Sequence, residues 1–89
     1  MQDLVGHAAV ETARNSGRPQ IVNLINHLTK SKGATISQYE ALMLYRIAAL
    51  PRRISDLESM GVKIDRRWKR DETGHNYMVY SLAGEEAGA

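Results

Sequence analysis

The chain has 89 residues, a quarter of them charged, no cysteine and a formal net charge of +2. That length fits one domain with a modest core, and the lack of cysteine excludes disulfides and thiolate metal sites. No apolar run approaches the roughly 20 residues of a membrane span, and the N-terminus lacks a basic segment followed by a continuous apolar one, so a cytoplasmic protein is expected. The charge is unevenly placed. Residues 46–70 carry eight Lys/Arg against Asp56, Glu58 and Asp65, a local +5, while residues 71–89 carry four acids and no base. A concentrated basic block is the footprint of a polyanion partner.

Residues 1–17 are alanine-rich, with a weak apolar stripe of Leu4, Val5, Ala8, Ala9 and Ala13 interrupted by Gly6. Helix and disorder are equally open for this segment. Pro19 then suits a first helical position. Ile21, Val22, Leu24, Ile25 and Leu28 predict a helix to about Lys30, with Gly33 as its cap. Ala34-Thr35-Ile36 reads equally as a small strand or as the entry to the next helix.

Ser37-Gln38-Tyr39-Glu40 matches a capping box, in which serine hydroxyl and glutamate carboxylate each take up a free backbone N–H at the helix start. The helix it opens is expected over 38–45, with Ala41, Leu42 and Tyr45 inward. A third helix is expected from Ala49 to Met60, buried through Leu50, Ile54 and Leu57 and ended by Gly61. Pro51 falls in its first turn, where the missing N–H costs nothing. From Val62 the period changes to two. Val62, Ile64 and Trp68 share one face, with Arg66 as the odd residue among them, and Trp68 is expected in the core. A turn around Gly74 leads to a return strand, Tyr77 to Leu82.

Helix, helix, tight turn, helix and hairpin is the order of a winged helix-turn-helix. The expected class is α+β, a three-helix core followed by a two-stranded β-hairpin wing. The expected division is a segment over 1–17, the domain over 18–83 and an acidic tail over 84–89. Residues 35–82 also resemble the small helix-turn-helix domains encoded in phages and prophages. Glu40-Ala41-Leu42, Arg53-Ile54-Ser55-Asp56-Leu57, Gly61, the strand from Ile64 to Trp68 and Tyr80-Ser81-Leu82 carry that resemblance. It implies a DNA-binding protein of phage regulation, excision or replication. Where a glycine is expected in the turn, this chain has Arg46.

In a helix-turn-helix the second helix lies in the major groove, with its N-terminal residues at the base edges. Ala48, Ala49, Arg52 and Ser55 are the expected base contacts. Arg52 is the candidate for a two-pronged bond to guanine. Arg46, Arg53, Lys63, Arg66, Arg67, Lys69, Arg70 and His75 are candidates for the DNA backbone or minor groove. Lys30 and Lys32 are weaker ones. Arg53 has a competing structural role, bridging Glu40 or Asp56. His7, His27 and His75 lack ligand spacing, and no catalytic motif is present, so neither an enzyme nor a cofactor is expected. Double-stranded DNA is the expected partner, joined by a second copy or a protein partner, because one small module reads few bases. The competing reading is a winged-helix protein-interaction module or a phage inhibitor of a host protein.

Overall fold

The computed structural model describes residues 6–83. It contains α1 (His7–Arg14), α2 (Pro19–Thr29), β1 (Thr35–Ser37), α3 (Gln38–Tyr45), α4 (Leu50–Ser59), β2 (Ile64–Arg70) and β3 (Asn76–Leu82). The described part thus has four helices and one antiparallel sheet of order β1-β3-β2. This is an α+β winged helix-turn-helix, larger by one helix and one strand than the three-helix, two-strand outline. The expected tail over 84–89 lies outside the described residues, as do Leu4 and Val5.

The N-terminal stripe does form a helix. Gly6 precedes it with φ 73°, and a Cβ there would stand 2.5 Å from the Gly61 carbonyl oxygen. Glycine is what lets the chain approach the end of α4 so closely. Val10 and Ala13 are buried in the common core. Arg14 ties α1 to α2, donating to Asn26 Oδ1 at 3.2 Å and Thr29 Oγ1 at 2.9 Å.

Pro19 opens α2, and Ile21, Leu24, Ile25 and Leu28 supply its buried stripe. The cap of α2 is Lys30, not Gly33, which instead turns the chain three residues later at φ 76°. Thr35 and Ile36, β-branched and suited to a pleated edge, form the third strand: Thr35 pairs with Ser81, Ile36 with Tyr80 and Ser37 with Val79. His27 locks this corner. Its ring is 2 % exposed, with Nε2 2.9 Å from the Thr35 carbonyl and Nδ1 2.7 Å from the Tyr45 hydroxyl. A carbonyl can only accept, so Nε2 donates to Thr35, and Nδ1 shares a hydrogen bond with the Tyr45 hydroxyl. One imidazole thereby joins α2, β1 and α3.

The core also holds Ile36, Ala41, Ile47, Leu50, Ile54, Leu57, Val62, Tyr80 and Leu82. Two expectations about it need correction. Leu42 is 47 % exposed. The inner edge of α3 is Gln38, Ala41 and Tyr45, and Leu42 falls to one side of it. Trp68 is 66 % exposed. It keeps the phase of Val62 and Ile64, but burial fades along that face from Val62 (buried) through Ile64 (half-buried) to Trp68. The hairpin runs out beyond the helical layer, so correct alternation does not bring burial.

Candidate nucleic-acid interface

The turn between the two helices of the pair spans residues 46–49. Ser37 Oγ accepts from the Glu40 N–H at 3.2 Å, and the Glu40 carboxylate accepts from the Ser37 N–H at 3.1 Å, so the capping box starts α3. Arg46 ends it in the left-handed region, φ 58° and ψ 33°, with its N–H on the Leu42 carbonyl at 3.0 Å. This is the left-handed cap usually given to glycine. Two side-chain amides hold the turn from outside. Gln20 donates to the Arg46 carbonyl at 3.3 Å. Gln38 donates to the Ile47 carbonyl at 2.9 Å and accepts from the Leu50 N–H at 3.0 Å. The Gln38 bonds fix where α4 begins, and neither glutamine was singled out by sequence reasoning.

Leu50, Ile54 and Leu57 bury one face of α4. At about 100° per residue the opposite face is Arg52 and Ser59, with Ser55 beside them. Arg52, Ser55 and Ser59 are all exposed. Ala48 and Ala49, also exposed, precede the helix with side chains too small to stand off a partner. Pro51 lies in the first turn, as its ring requires. The four residues expected at base edges are therefore brought together on one outward surface.

Arg53 does not join them. Its side chain is half-buried toward α2, and its Nε lies 3.2 Å from Asp56 Oδ2. That nitrogen is buried and its N–H is not aligned for a hydrogen bond, so the contact is an ion pair only. The same Oδ2 accepts from Arg18 Nη2 at 3.0 Å. Asp56 thus gathers two cations and ties the start of α2 to α4. Arg18 was missed from sequence because its partner is 38 residues away.

The hairpin register settles the faces of the wing. Arg66 opposes Tyr80, Trp68 opposes Met78 and Arg70 opposes Asn76, so these share the side that packs toward α4; Arg67 opposes Val79 and Lys69 opposes Tyr77 on the other side. Arg66 forms a two-pronged pair with Glu58 of α4, at 2.9 and 2.7 Å, with its guanidinium 5.7 Å from the Tyr80 ring centre. The hydrogen bond from Arg66 holds the Glu58 carboxyl below the usual carboxylate range. Arg66 is thereby occupied as the pin between wing and helix. Lys63, Arg67, Lys69, Arg70 and His75 are exposed along the hairpin. Arg70 reaches Asn76 at 3.5 Å. At the tip, Asp71 Oδ1 accepts from the Thr73 hydroxyl and from the His75 and Thr73 N–H groups, which holds its carboxyl below the ordinary range. His75 Nδ1 lies 2.8 Å from the Thr73 hydroxyl. These bonds shape the tip that carries the cations.

Lys30 and Lys32 are exposed beyond the end of α2. Among the described residues no group of His, Cys, Asp or Glu has metal-site geometry, and no helix is long and apolar enough to cross a membrane.

The family model described as a winged helix-turn-helix domain matches residues 19–85, and the chain belongs to that family. No curated protein and no solved structure matches the chain.

Proposed function

We propose that the chain is a sequence-specific double-stranded DNA-binding protein, with α4 in the major groove and the β2–β3 hairpin on the backbone or in the minor groove. One observation carries the reading. Arg52 stands in the first turn of α4, opposite its buried face, with Ala48, Ala49 and Ser55 around it and none of them obstructing. A guanidinium in that position can meet guanine O6 and N7 while small neighbours let the helix seat deeply. The wing supplies Lys63, Arg67, Lys69 and Arg70 as phosphate or minor-groove contacts. Arg66 acts instead by pinning α4 to the hairpin, and Arg53 is paired with Asp56 of its own helix. The resemblance to phage and prophage domains supports a transcriptional regulator or excisionase-like factor working in the bacterial cytoplasm, as a homodimer or with a protein partner.

The test is selection from random duplex DNA, followed by anisotropy titrations across a salt series for wild type and Arg52→Ala. Wild type should enrich a motif. Arg52→Ala should lose discrimination at one position, by about 1–3 kcal/mol, and keep most of the salt dependence, which comes from phosphates. Absence of duplex binding at about 100 mM salt sinks the reading, because cations that release counterions on DNA should act under those conditions. The competing reading, a protein-interaction module, draws on a different feature, the apolar surface of α3.

A further inference from the structure

The sequence of α3, QYEALMLY, has one charged residue, Glu40, and that carboxylate is committed to the Ser37 N–H. A helix apolar on every side is ordinarily buried on every side. Here only Ala41 is fully buried, while Tyr39, Met43 and Leu44 are 71 %, 63 % and 58 % exposed. Tyr39, Leu42 and Met43 stand at i, i+3 and i+4 and so form one continuous ridge. Beside it a groove runs from Tyr39 and Leu42 past Pro51 to Tyr77 and Met78 of β3.

We propose that this ridge and groove are a self-association surface, covered by the same surface of a second copy of the chain. Three observations choose that occupant. First, the residues on either side of the described part do not suit it. Residues 84–89, Gly-Glu-Glu-Ala-Gly-Ala, have no apolar side chain larger than alanine. The N-terminal residues lead into Gly6, which lies against Gly61 at the far end of α4.

Second, the ridge is neutral. A two-fold interface lays a patch on its own copy, where any net charge would repel itself. A strongly acidic or basic partner would call for complementary charge here. The two carboxylates that line the groove, Glu40 and Asp71, keep their charge but lie off the ridge, each turned to an internal N–H or hydroxyl donor. Third, the area suffices. The exposed parts of Tyr39, Leu42, Met43 and Tyr77 amount to roughly 450 Å², within the range of the largest patch on a monomer. With a polar rim this approaches the roughly 800 Å² that each partner gives to a standard interface. Arg52 is not part of the ridge, so two copies would present two α4 helices, as paired half-sites require.

Sedimentation equilibrium of the full chain without DNA tests this, from low micromolar to several hundred micromolar. Wild type should approach the mass of a dimer at the upper end. Met43→Glu should weaken association by at least roughly tenfold, as expected for a residue central to an interface. Tyr39→Ser should act in the same direction, and Leu44→Ser, an exposed apolar residue on the other side of α3, should not. Met43 and Tyr39 are exposed, so both variants should melt like wild type by circular dichroism. A wild type that stays monomeric throughout overturns the proposal, as does association of both ridge variants at wild-type strength. No DNA is present, so failure of the DNA reading and failure of this one are seen separately.

Discussion

Replacing Arg46 with glycine should make the protein more stable and a poorer DNA binder. Arg46 is the one non-glycine residue with positive φ among the described residues. The left-handed conformation costs an L-residue about 1–2 kcal/mol. Glycine removes that cost but gains freedom in the unfolded chain, which takes back about 0.4–1 kcal/mol. The bonds that define the turn are made by backbone atoms of residue 46, its N–H to Leu42 and its carbonyl from Gln20, and both survive the change. A net gain of about 0–1.6 kcal/mol follows, centred on about 0.8 kcal/mol, which is about 3–6 °C in Tm for a chain of this size.

The loss is electrostatic. Arg46 is exposed at the edge of the turn that leads into α4. If it holds one phosphate, its removal lowers the slope of log K against log salt by about one. Two controls separate backbone from charge. Arg46→Ala keeps the strain and removes the charge, so it should match wild type in stability and glycine in DNA affinity. Arg46→Asn tolerates the left-handed region and should melt between wild type and the glycine variant. Thermal melts by circular dichroism and anisotropy at several salt concentrations give both readings. An Arg46→Gly protein no more stable than wild type would refute the argument from strain.

Glu58→Gln tests the pin between wing and helix. The Glu58 carboxyl is held below its usual range by Arg66, so its contribution is present above the ordinary carboxylate pKa and is lost as pH falls through the lower folded value. Urea titrations should show wild type losing that increment on acidification and Glu58→Gln not losing it. The pair is about two-fifths exposed, so screening keeps the increment near the 0.2–1 kcal/mol of surface pairs at most. Tyr45→Phe should cost about 1–3 kcal/mol, because it leaves the buried His27 Nδ1 without a hydrogen-bond partner. Denaturant melts of Tyr45→Phe, His27→Phe and the double variant would show coupling; additive losses would count against the bond. Gly6→Ala should destabilise by at least about 1 kcal/mol from backbone strain alone. It should also speed hydrogen exchange over His7–Arg14, since the added Cβ meets the Gly61 carbonyl.

The parts of the fold that were legible in the sequence were those set by local rules. The capping box, Pro19, Pro51 and the change of period at Val62 each act within a few residues, and each marks an element that is present. What escaped depends on distant partners. β1 could not be told from a helix entry until β3 was there to pair with it. The expected burial of Trp68 failed because alternation gives the face of a strand but not how far the helices beneath it reach. Leu42 failed for a related reason: a short apolar helix offers several candidate inner faces, and its neighbours choose among them. In the site, Arg52 was legible because its direction follows from the three buried residues of its own helix. The engagement of Arg66 with Glu58, and of Arg18 with Asp56, required the packing of separate elements.

The turn shows how a departure from the local rule is accommodated. Glycine at position 46 would let the backbone adopt φ 58° without cost. With arginine there the conformation has to be imposed, and Gln20 and Gln38 impose it from α2 and α3 through hydrogen bonds to residues 46, 47 and 50. Each such bond contributes about 0.5–1.5 kcal/mol net, enough together to offset the strain of one left-handed residue. The same amides fix the first residues of α4 and hence the direction of Arg52. The arrangement places a cation in the turn, beside the small residues of the proposed base-reading surface, at a cost in stability that glycine would avoid. Glycine would serve stability better here, and the salt slope of Arg46→Gly tests whether the arginine acts instead on a DNA phosphate.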